Sequence, residues 1–556
     1  MNDSSVHSEI SRGVGSIPFS KIPGQSKLFV DFQFAPEKLL NFYPNAVRSH
    51  HELVAKVPGV LEAYRTARKE LCDVLRGQQT TFGAGAAAFE NVDLLSGPKT
   101  VAVVTGQQAG LFSGPLYTIY KALSAVRLAE CLREKGTPAV PVFWAATEDH
   151  DFDEVASVKG LDGSGRIFEV SNRPANHVEG RSVGNVVLDD SILSTIAEFS
   201  DSLGRGQYSS AVRDLLKDAY RPGRSFGGAF CELVARLFEP YGLIVVDPLD
   251  DRIKSLCRPI YKSAAENVVQ INSRLTERDA ELKAAGYHSQ VLVTPEYVPI
   301  FWHGDDGVRR SLKLKPKGEL AVHGTRESLS LSQLADIAQT SPSRFSPGVM
   351  LRPVVQDYLF PTVCYVGGGA EIAYFAQNSV VYETLGRPAT TSMHRQSFTV
   401  VEAKHRRTME KFDLDLIELF SGYDALVPHI VGRFVDPDGV RSFADAEEVI
   451  NGQLNKLDQY VSRLDPTIAE NLATRRRKIV YHIAALRTKF ERARLKKDVE
   501  IERRLRAVTD ALAPEGGLQE RTVNLFSFFN KFGPAFIDRI YSSIELDDKA
   551  HRVVNV

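Results

Sequence analysis

The chain has 556 residues, with 68 Lys plus Arg against 69 Asp plus Glu and a formal net charge of −1. Hydrophobic residues make up 43%, charged residues 25% and aromatics 9%, which excludes a disordered, collagen-like or disulfide-scaffold chain and leaves material for three or four units of about 150 residues each. Near-neutral charge argues against a chain-wide polyanion binder, no apolar run approaches the roughly 18 residues of a membrane helix, and five scattered cysteines without a CxxC pair point to a reducing cytoplasm without a zinc or disulfide framework.

The N-terminal MNDSSVHSEISRG has no basic segment followed by an apolar one, so it reads as a short frayed tail, not a signal peptide. Residues 25–95 follow helical spacing, with a Gly/Ala loop around 82–88. The first clear strand is VAVV at 101–104. It runs into TGQQAGLFSGP (105–115) and an amphipathic helix with Leu116, Ile119, Leu123, Val126 and Leu128 near one face. Gly136 and Pro138 stop that helix, and a second strand, VPVFW (140–144), leads into an acidic cluster. A strand–helix–strand unit of about 45 residues is the length of a parallel crossover.

Short β-like pieces follow at 166–170 and 183–188, then helical patterns near 208–240 and an apolar strand at 242–246. One helix is expected over about 255–285, then a β-rich stretch at 289–315 whose Asp306-Gly307 marks a hairpin. The fold class expected is α/β: a Rossmann-like, doubly wound parallel sheet with β-rich insertions, followed by an α-helical coiled-coil domain. The boundaries read as core with N-terminal helices at 1–160, insertion 161–205, core 206–288, β-rich insertion 289–340, core 341–395, coiled coil 396–513, and a terminal helix packing on the core at 514–556. In the coiled coil, Ile479, Ile483, Leu486 and Phe490 form a heptad-like seam, and Asp465-Pro466 divides two long helices. Between Arg475 and Arg506 stand 13 Lys or Arg against 4 Asp or Glu, either a solvated face or a surface for phosphate or RNA.

Three segments carry residues suited to chemistry. In 105–121, Gly106, Gly110 and Gly114 permit tight turns and close backbone approach, the following helix offers its N–H groups to an anion, and Gln107, Gln108, Tyr117 and Lys121 add polar groups. Neither Walker nor GxGxxG spacing is met. Residues 147–154 (TEDHDFDE) hold five carboxylates and one histidine, a set able to hold a divalent cation beside ATP, bind an ammonium group or act as general base. In 346–371, Arg352, Gln356, Asp357 and Tyr358 interrupt an apolar segment, and Gly367-Gly368-Gly369 with Glu371 open a helix as a second anion cradle. Cys364 reads as a buried hydrophobe. A ligand-free reading also exists for each: a glycine-rich connection, a solvated acidic loop, or packing.

TGQQAGLFSGPLYTIYKALSA, PVFWAATEDHDFDEV, SPGVMLRPVVQDYLFPTVCYVGGGAEIAYFAQ and GGLQER, in that order, closely resemble the bacillithiol biosynthesis cysteine-adding enzymes across nearly the whole chain. That family is similar to class I aminoacyl-tRNA synthetases in its core, although no HIGH or KMSKS signature stands here. The resemblance implies a cytoplasmic ligase adding L-cysteine to the amine of glucosaminyl malate, with ATP and Mg2+ as expected cofactors, a nucleotide site near the coiled coil, and a homodimer formed through the helical domain. Membrane and nucleic-acid partners are not expected. It maps catalytic roles onto Asp149, His150 and Asp151. Substrate roles fall on Gly106, Gln107, Gln108, Gly114, Tyr117, Lys121, Arg352, Gln356, Asp357, Tyr358, Gly367, Gly368, Glu371 and Arg395; no metal ligand is assigned. The rival reading is a synthetase-like nucleotide- or tRNA-binding paralogue without this activity.

Overall fold

The computed structural model describes residues 15–556; the expected N-terminal tail lies outside the described residues. Five parallel strands make the central sheet: β1 (Val101–Gln107), β2 (Ala139–Ala145), β3 (Ile244–Val246), β4 (Thr362–Gly367) and β5 (Ser392–His394). Their spatial order is β5-β4-β1-β2-β3, so the chain winds outward from β1 through β2 to β3, then returns to β4 on the other side. β1 pairs with β2 from Val101↔Ala139 to Gln107↔Ala145. Both strands are almost wholly buried, as their unbroken apolar runs require of a sheet covered on both faces. Phe143 is fully buried in β2, and truncating such a side chain to Ala costs ~3–5 kcal/mol.

Three helices bear on the sheet's carboxyl edge. Helix α1 (Tyr117–Glu134) joins β1 to β2, α2 (Arg352–Leu359) precedes β4, and α3 (Gly369–Thr384) joins β4 to β5. α1 is buried around most of its circumference, not along one stripe. The terminal helix Pro534–Ser542 packs over its outer side, where the Tyr541 hydroxyl donates to Glu130.

The insertions differ in detail from the sequence expectation. Ser157–Leu161 and Ile167–Ser171 form an antiparallel hairpin, but 183–188 is no strand. Val183 and Gly184 instead donate their N–H groups to the carbonyls of Asp149 (2.6 Å) and Thr147 (2.8 Å), so this backbone braces the acidic loop. The single helix expected over 255–285 is three: Asp251–Leu256, Arg258–Glu266 and Val268–Ala284. Pro259, in the first turn of the second, has no N–H to continue the preceding one. The hairpin at Asp306-Gly307 is present, with Gly307 at φ +73°. It belongs to a five-stranded sheet ordered Ser328–Ser330, Glu319–Val322, Arg309–Leu314, Tyr297–His303 and Phe345–Pro347.

Past β5, helices α4 (Pro437–Leu464) and α5 (Pro466–Lys497) run antiparallel: Phe443 meets Phe490 with ring centroids 5.2 Å apart, and Arg476 donates to Asn455 at 2.6 Å. Asp465 caps α5 by accepting the Thr467 N–H at 2.8 Å. Much of the basic stretch is paired within the chain, as in Arg487–Glu491, Arg494–Asp436, Arg504–Glu500 and Arg506–Glu502. The chain's end carries a strand that sequence reading missed: His551–Asn555 lies between Gly15–Ile17 and Phe398–Val401. Among the described residues, no helix is long and apolar enough to cross a membrane.

Candidate active site

A cavity of about 490 Å³ opens at the carboxyl ends of β1, β2 and β4. Winding changes direction between β1 and β4, and in open parallel sheets that crevice is where ligands bind. The sheet edge and the first turn of α3 form the floor, while Tyr297, Phe301, Arg309 and Pro347 of the antiparallel insertion line the opposite wall.

One end of the cavity is cationic. Lys121, buried in α1, donates to the Gly106 carbonyl (3.0 Å) and Gln107 Oε1 (2.7 Å) and pairs with Glu371. Burial draws its ammonium down to about 8 against the opposing pull of Glu371. Burial works to raise the Glu371 carboxyl, but Lys121 and Arg352 outweigh it and hold the group below the ordinary carboxylate range. Glu371 also accepts the Gly368 N–H (2.8 Å) and the Tyr365 hydroxyl (2.6 Å), capping α3. Arg352 donates to Gln356 Oε1 (3.2 Å) and to the Tyr374 hydroxyl. Arg395 pairs with the fully buried Glu520 at 2.7 Å, and its Nε has no hydrogen-bond partner. The exposed Arg521 lines the same end. Four cations thus stand beside the α3 N-terminus, Lys121 and Arg395 paired with Glu371 and Glu520 and the Gly368 N–H taken by Glu371.

The other end is built from the loop after β2. Asp149 Oδ1 accepts the His150 N–H at 2.7 Å, and Gln108 donates to Asp149 Oδ2 (3.1 Å) and Glu154 Oε2 (2.6 Å). Arg309 reaches across from the insertion: its Nη1 lies 2.9 Å from His150 Nδ1 and its guanidinium stands 3.7 Å from the Phe301 ring centroid. Burial and the Arg309 charge lower His150 below its usual range. Beneath, the buried pair Lys254–Glu148 ties the helix Asp251–Leu256 to this loop, with Lys254 also donating to the Phe345 carbonyl at 2.5 Å.

Of the residues singled out from sequence, Gly106, Gln107, Gln108, Tyr117, Lys121, Asp149, His150, Arg352, Gly368, Glu371 and Arg395 line this one cavity. Others do not. Asp151 is exposed and caps the short helix Phe152–Val155 by accepting the Glu154 N–H (3.2 Å). Gly114 turns the chain at φ +67°, where a Cβ on Gly110 would stand 2.9 Å from its Cα; the requirement there is loop packing. Gln356 is buried behind Arg352, and Gly367 ends β4. Asp357 and Tyr358, at the far end of α2, line two other cavities. Cys364 is fully buried in mid-strand, where burial raises its thiol far from reactivity.

Sequence reasoning missed Arg309, Phe301 and Tyr297, and quoted Trp144 and Arg521 only inside longer segments. Asp149 and Glu154 both accept from the Gln108 amide, and Glu154 does not line the cavity, so this end presents no assembled set of oxygen ligands for a magnesium ion. The one His/Asp group with metal-ligand spacing among the described residues, His50, His51 and Asp547, lies outside the cavity and has Lys135 against His51 Nδ1.

Residues 14–396 match the family described as bacillithiol biosynthesis BshC, N-terminal Rossmann-like domain, and residues 398–556 match bacillithiol biosynthesis BshC, C-terminal coiled-coil domain. A protein of Solibacter usitatus, designated a candidate cysteine ligase BshC, is 35% identical over 97% of this chain and 98% of its own length. Proteins of the same designation from Salinibacter ruber and Koribacter versatilis are each 33% identical, over 95% and 97% of this chain and 96% and 99% of their own.

Proposed function

The chain belongs to the bacillithiol biosynthesis BshC family, and from that premise we propose that it is a ligase joining the carboxyl of L-cysteine to the amine of glucosaminyl malate. The supporting observation is a single cavity with Lys121, Arg352, Arg395 and Arg521 at one end and Asp149 with His150 at the other. The cationic end suits the malyl carboxylates or a phosphate; the acidic end suits the amine.

An amine does not displace a carboxylate oxygen at useful rates near neutral pH, so the cysteine carboxyl needs a leaving group. ATP with Mg2+ would supply one as an adenylate or acyl-phosphate. The protein's own part is positioning. Gln107, Tyr117 and Lys121 fix the anionic part of the substrate, Arg352 and Arg395 neutralise it, and Asp149 orients the amine beside His150. The insertion roof of Tyr297 and Phe301 narrows access of water to the acyl centre. The family relationship and the unpaired, buried cysteines support a cytoplasmic setting. A homodimer through α4 and α5 is part of the same proposal.

Mass spectrometry of the protein incubated with cysteine and glucosaminyl malate, with and without ATP and magnesium, tests this reading. Product only with ATP supports an activated carboxyl. Product without ATP keeps the substrates and removes that mechanism, and no product under either condition overturns the ligase assignment.

A further inference from the structure

We propose that Arg309 is a positioning residue that holds the His150 ring as its Nε2–H tautomer, so that His150 meets the substrate as a hydrogen-bond donor and the Asp149 carboxylate takes the amine proton. The assignment of these roles rests on the ligase reading; the tautomer does not.

The argument begins with the inventory of the guanidinium. Arginine carries donors only. Arg309 Nη1 lies 2.9 Å from His150 Nδ1, so that nitrogen must accept, and a neutral ring then carries its hydrogen on Nε2. The donor is not free to swing away. Nε donates to Ser346 Oγ (2.8 Å), Nη2 donates to the Pro347 carbonyl (3.2 Å), and the planar group lies over the Phe301 ring. The Arg309 backbone N–H is held by the Gly180 carbonyl at 2.8 Å. Three side-chain contacts and one backbone contact therefore aim a fixed charge at one imidazole nitrogen.

That charge also opposes a second proton on the ring. Around His150 stand Arg309 from the insertion, Asp149 and Asp151 from its own loop, and Glu179 from the neighbouring segment, with His303 and Lys254 facing the same buried network. His303 is itself held neutral, pushed down to about 3 by burial, Lys254 and Arg309. Burial and Arg309 prevail over the three carboxylates at His150. A histidine in this setting is a poor general base, because accepting a proton would place an imidazolium against a guanidinium. It is well suited to polarise a carbonyl oxygen or to stabilise the oxyanion that forms when an amine adds to an activated acyl group, as neutral imidazole donors do elsewhere. Of the two carboxylates beside it that line the cavity, Glu148 is buried against Lys254, which leaves Asp149, 3.6 Å from Arg309 Nη1, to face the amine.

The test uses the full chain labelled with 15N-histidine. Long-range 1H–15N spectra at pH 7, with the His150→Gln variant identifying the signal, should show His150 with a protonated Nε2 and an unprotonated Nδ1. In Arg309→Met the same ring should become a mixture of tautomers and titrate at higher pH. A wild-type ring protonated on Nδ1, or an imidazolium at pH 7, overturns the proposal whatever the fold of the variants. Turnover supplies the second readout. His150→Ala should lose about 100-fold, as for the loss of one oxyanion donor. His150→Gln, which can donate but cannot take up a proton, should recover at least about 10-fold of that loss. Equal losses in the two variants overturn the donor role. Absence of turnover in wild type would count against the ligase reading, while the spectra decide the tautomer independently.

Discussion

Arg395 and Glu520, 125 residues apart, form a buried ion pair at 2.7 Å that joins the end of the Rossmann-like region to the terminal segment. Glu520 has no exposure and also accepts the Ser397 hydroxyl (2.6 Å) and the Phe398 N–H (3.0 Å). Its neighbour Gln519 accepts the Val400 N–H (2.8 Å) and donates to the carbonyls of Val400 (2.9 Å) and Ala511 (2.8 Å). In GGLQER, then, the Gln and Glu lock the chain's end to the core and the Arg lines the cavity.

Replacing Glu520 with Gln leaves Arg395 buried without its counter-charge, which costs ~3 kcal/mol of stability and displaces a cation from the cavity wall. Arg395 holds the Glu520 carboxyl below its ordinary range against the push of burial. A depressed carboxyl stabilises the fold above the unfolded value of about 4.3 and ceases to as pH falls through its folded value. The thermal midpoints of wild type and E520Q should therefore differ at pH 7 and converge on acidification below about pH 4. A gap unchanged at low pH would show that the pair contributes through packing alone.

Lys121 offers a kinetic counterpart. Burial draws its ammonium down to about 8, so its charge is lost as pH rises through that range. The KM for the anionic substrate should rise as pH passes through 8. In Lys121→Met the KM should sit about 10- to 100-fold higher and lose that rise, since a hydrogen bond to a charged group contributes ~1.5–3 kcal/mol. A profile in the variant that still bends near 8 would assign the titration to another group.

The contrast between Lys121 and Arg309 shows how much of the site the sequence makes legible. β1, its loop and α1 are local: an apolar run, glycines and a helix that brings Tyr117 and Lys121 onto one face. Their cavity follows from the rule that parallel sheets bind ligands at carboxyl ends. Arg309 reaches His150 over 159 residues, through an antiparallel sheet whose docking no local pattern encodes. The strand His551–Asn555 escaped notice for the same reason: five residues beginning His-Arg become a strand only because residues 15–17 and 398–401 flank them. Asp151 shows the reverse case, a residue of the cluster with a local structural task. Glu148, Asp149 and His150 before it line the cavity, while Asp151 serves a four-residue helix.

The seam expected in α5 leads to a prediction about assembly. Ile479 is 38% and Leu486 59% exposed, and α4 adds Leu457 and Tyr460 at 47% and 70%. Apolar side chains repeated along a two-helix arm are what a second copy would cover. A double Ile479→Glu, Leu486→Glu change should convert a dimer to a monomer in light scattering, with unchanged helical circular dichroism. A wild-type chain that is monomeric at micromolar concentration would remove the dimer from the proposal.

Asp357 tests the boundary of the site. It sits at the end of α2 opposite to Arg352, accepts the Tyr382 hydroxyl at 2.5 Å, and faces a separate cavity with Lys56, Tyr64 and Arg387. Burial raises its carboxyl to about 7. A raised carboxyl binds its proton in the folded state over a range where the unfolded chain, near 3.9, has released it, so this group lowers stability as pH climbs from about 4 to 7. The loss is at most ~4 kcal/mol for a shift of that size. Asp357→Asn keeps an acceptor for Tyr382 without the charge. It should raise the thermal midpoint relative to wild type at pH 8, match it at pH 4, and leave the KM for substrates of the main cavity within about twofold. A large KM change at unaltered stability would place Asp357 in the substrate site after all, and would make α2 the link between the two cavities.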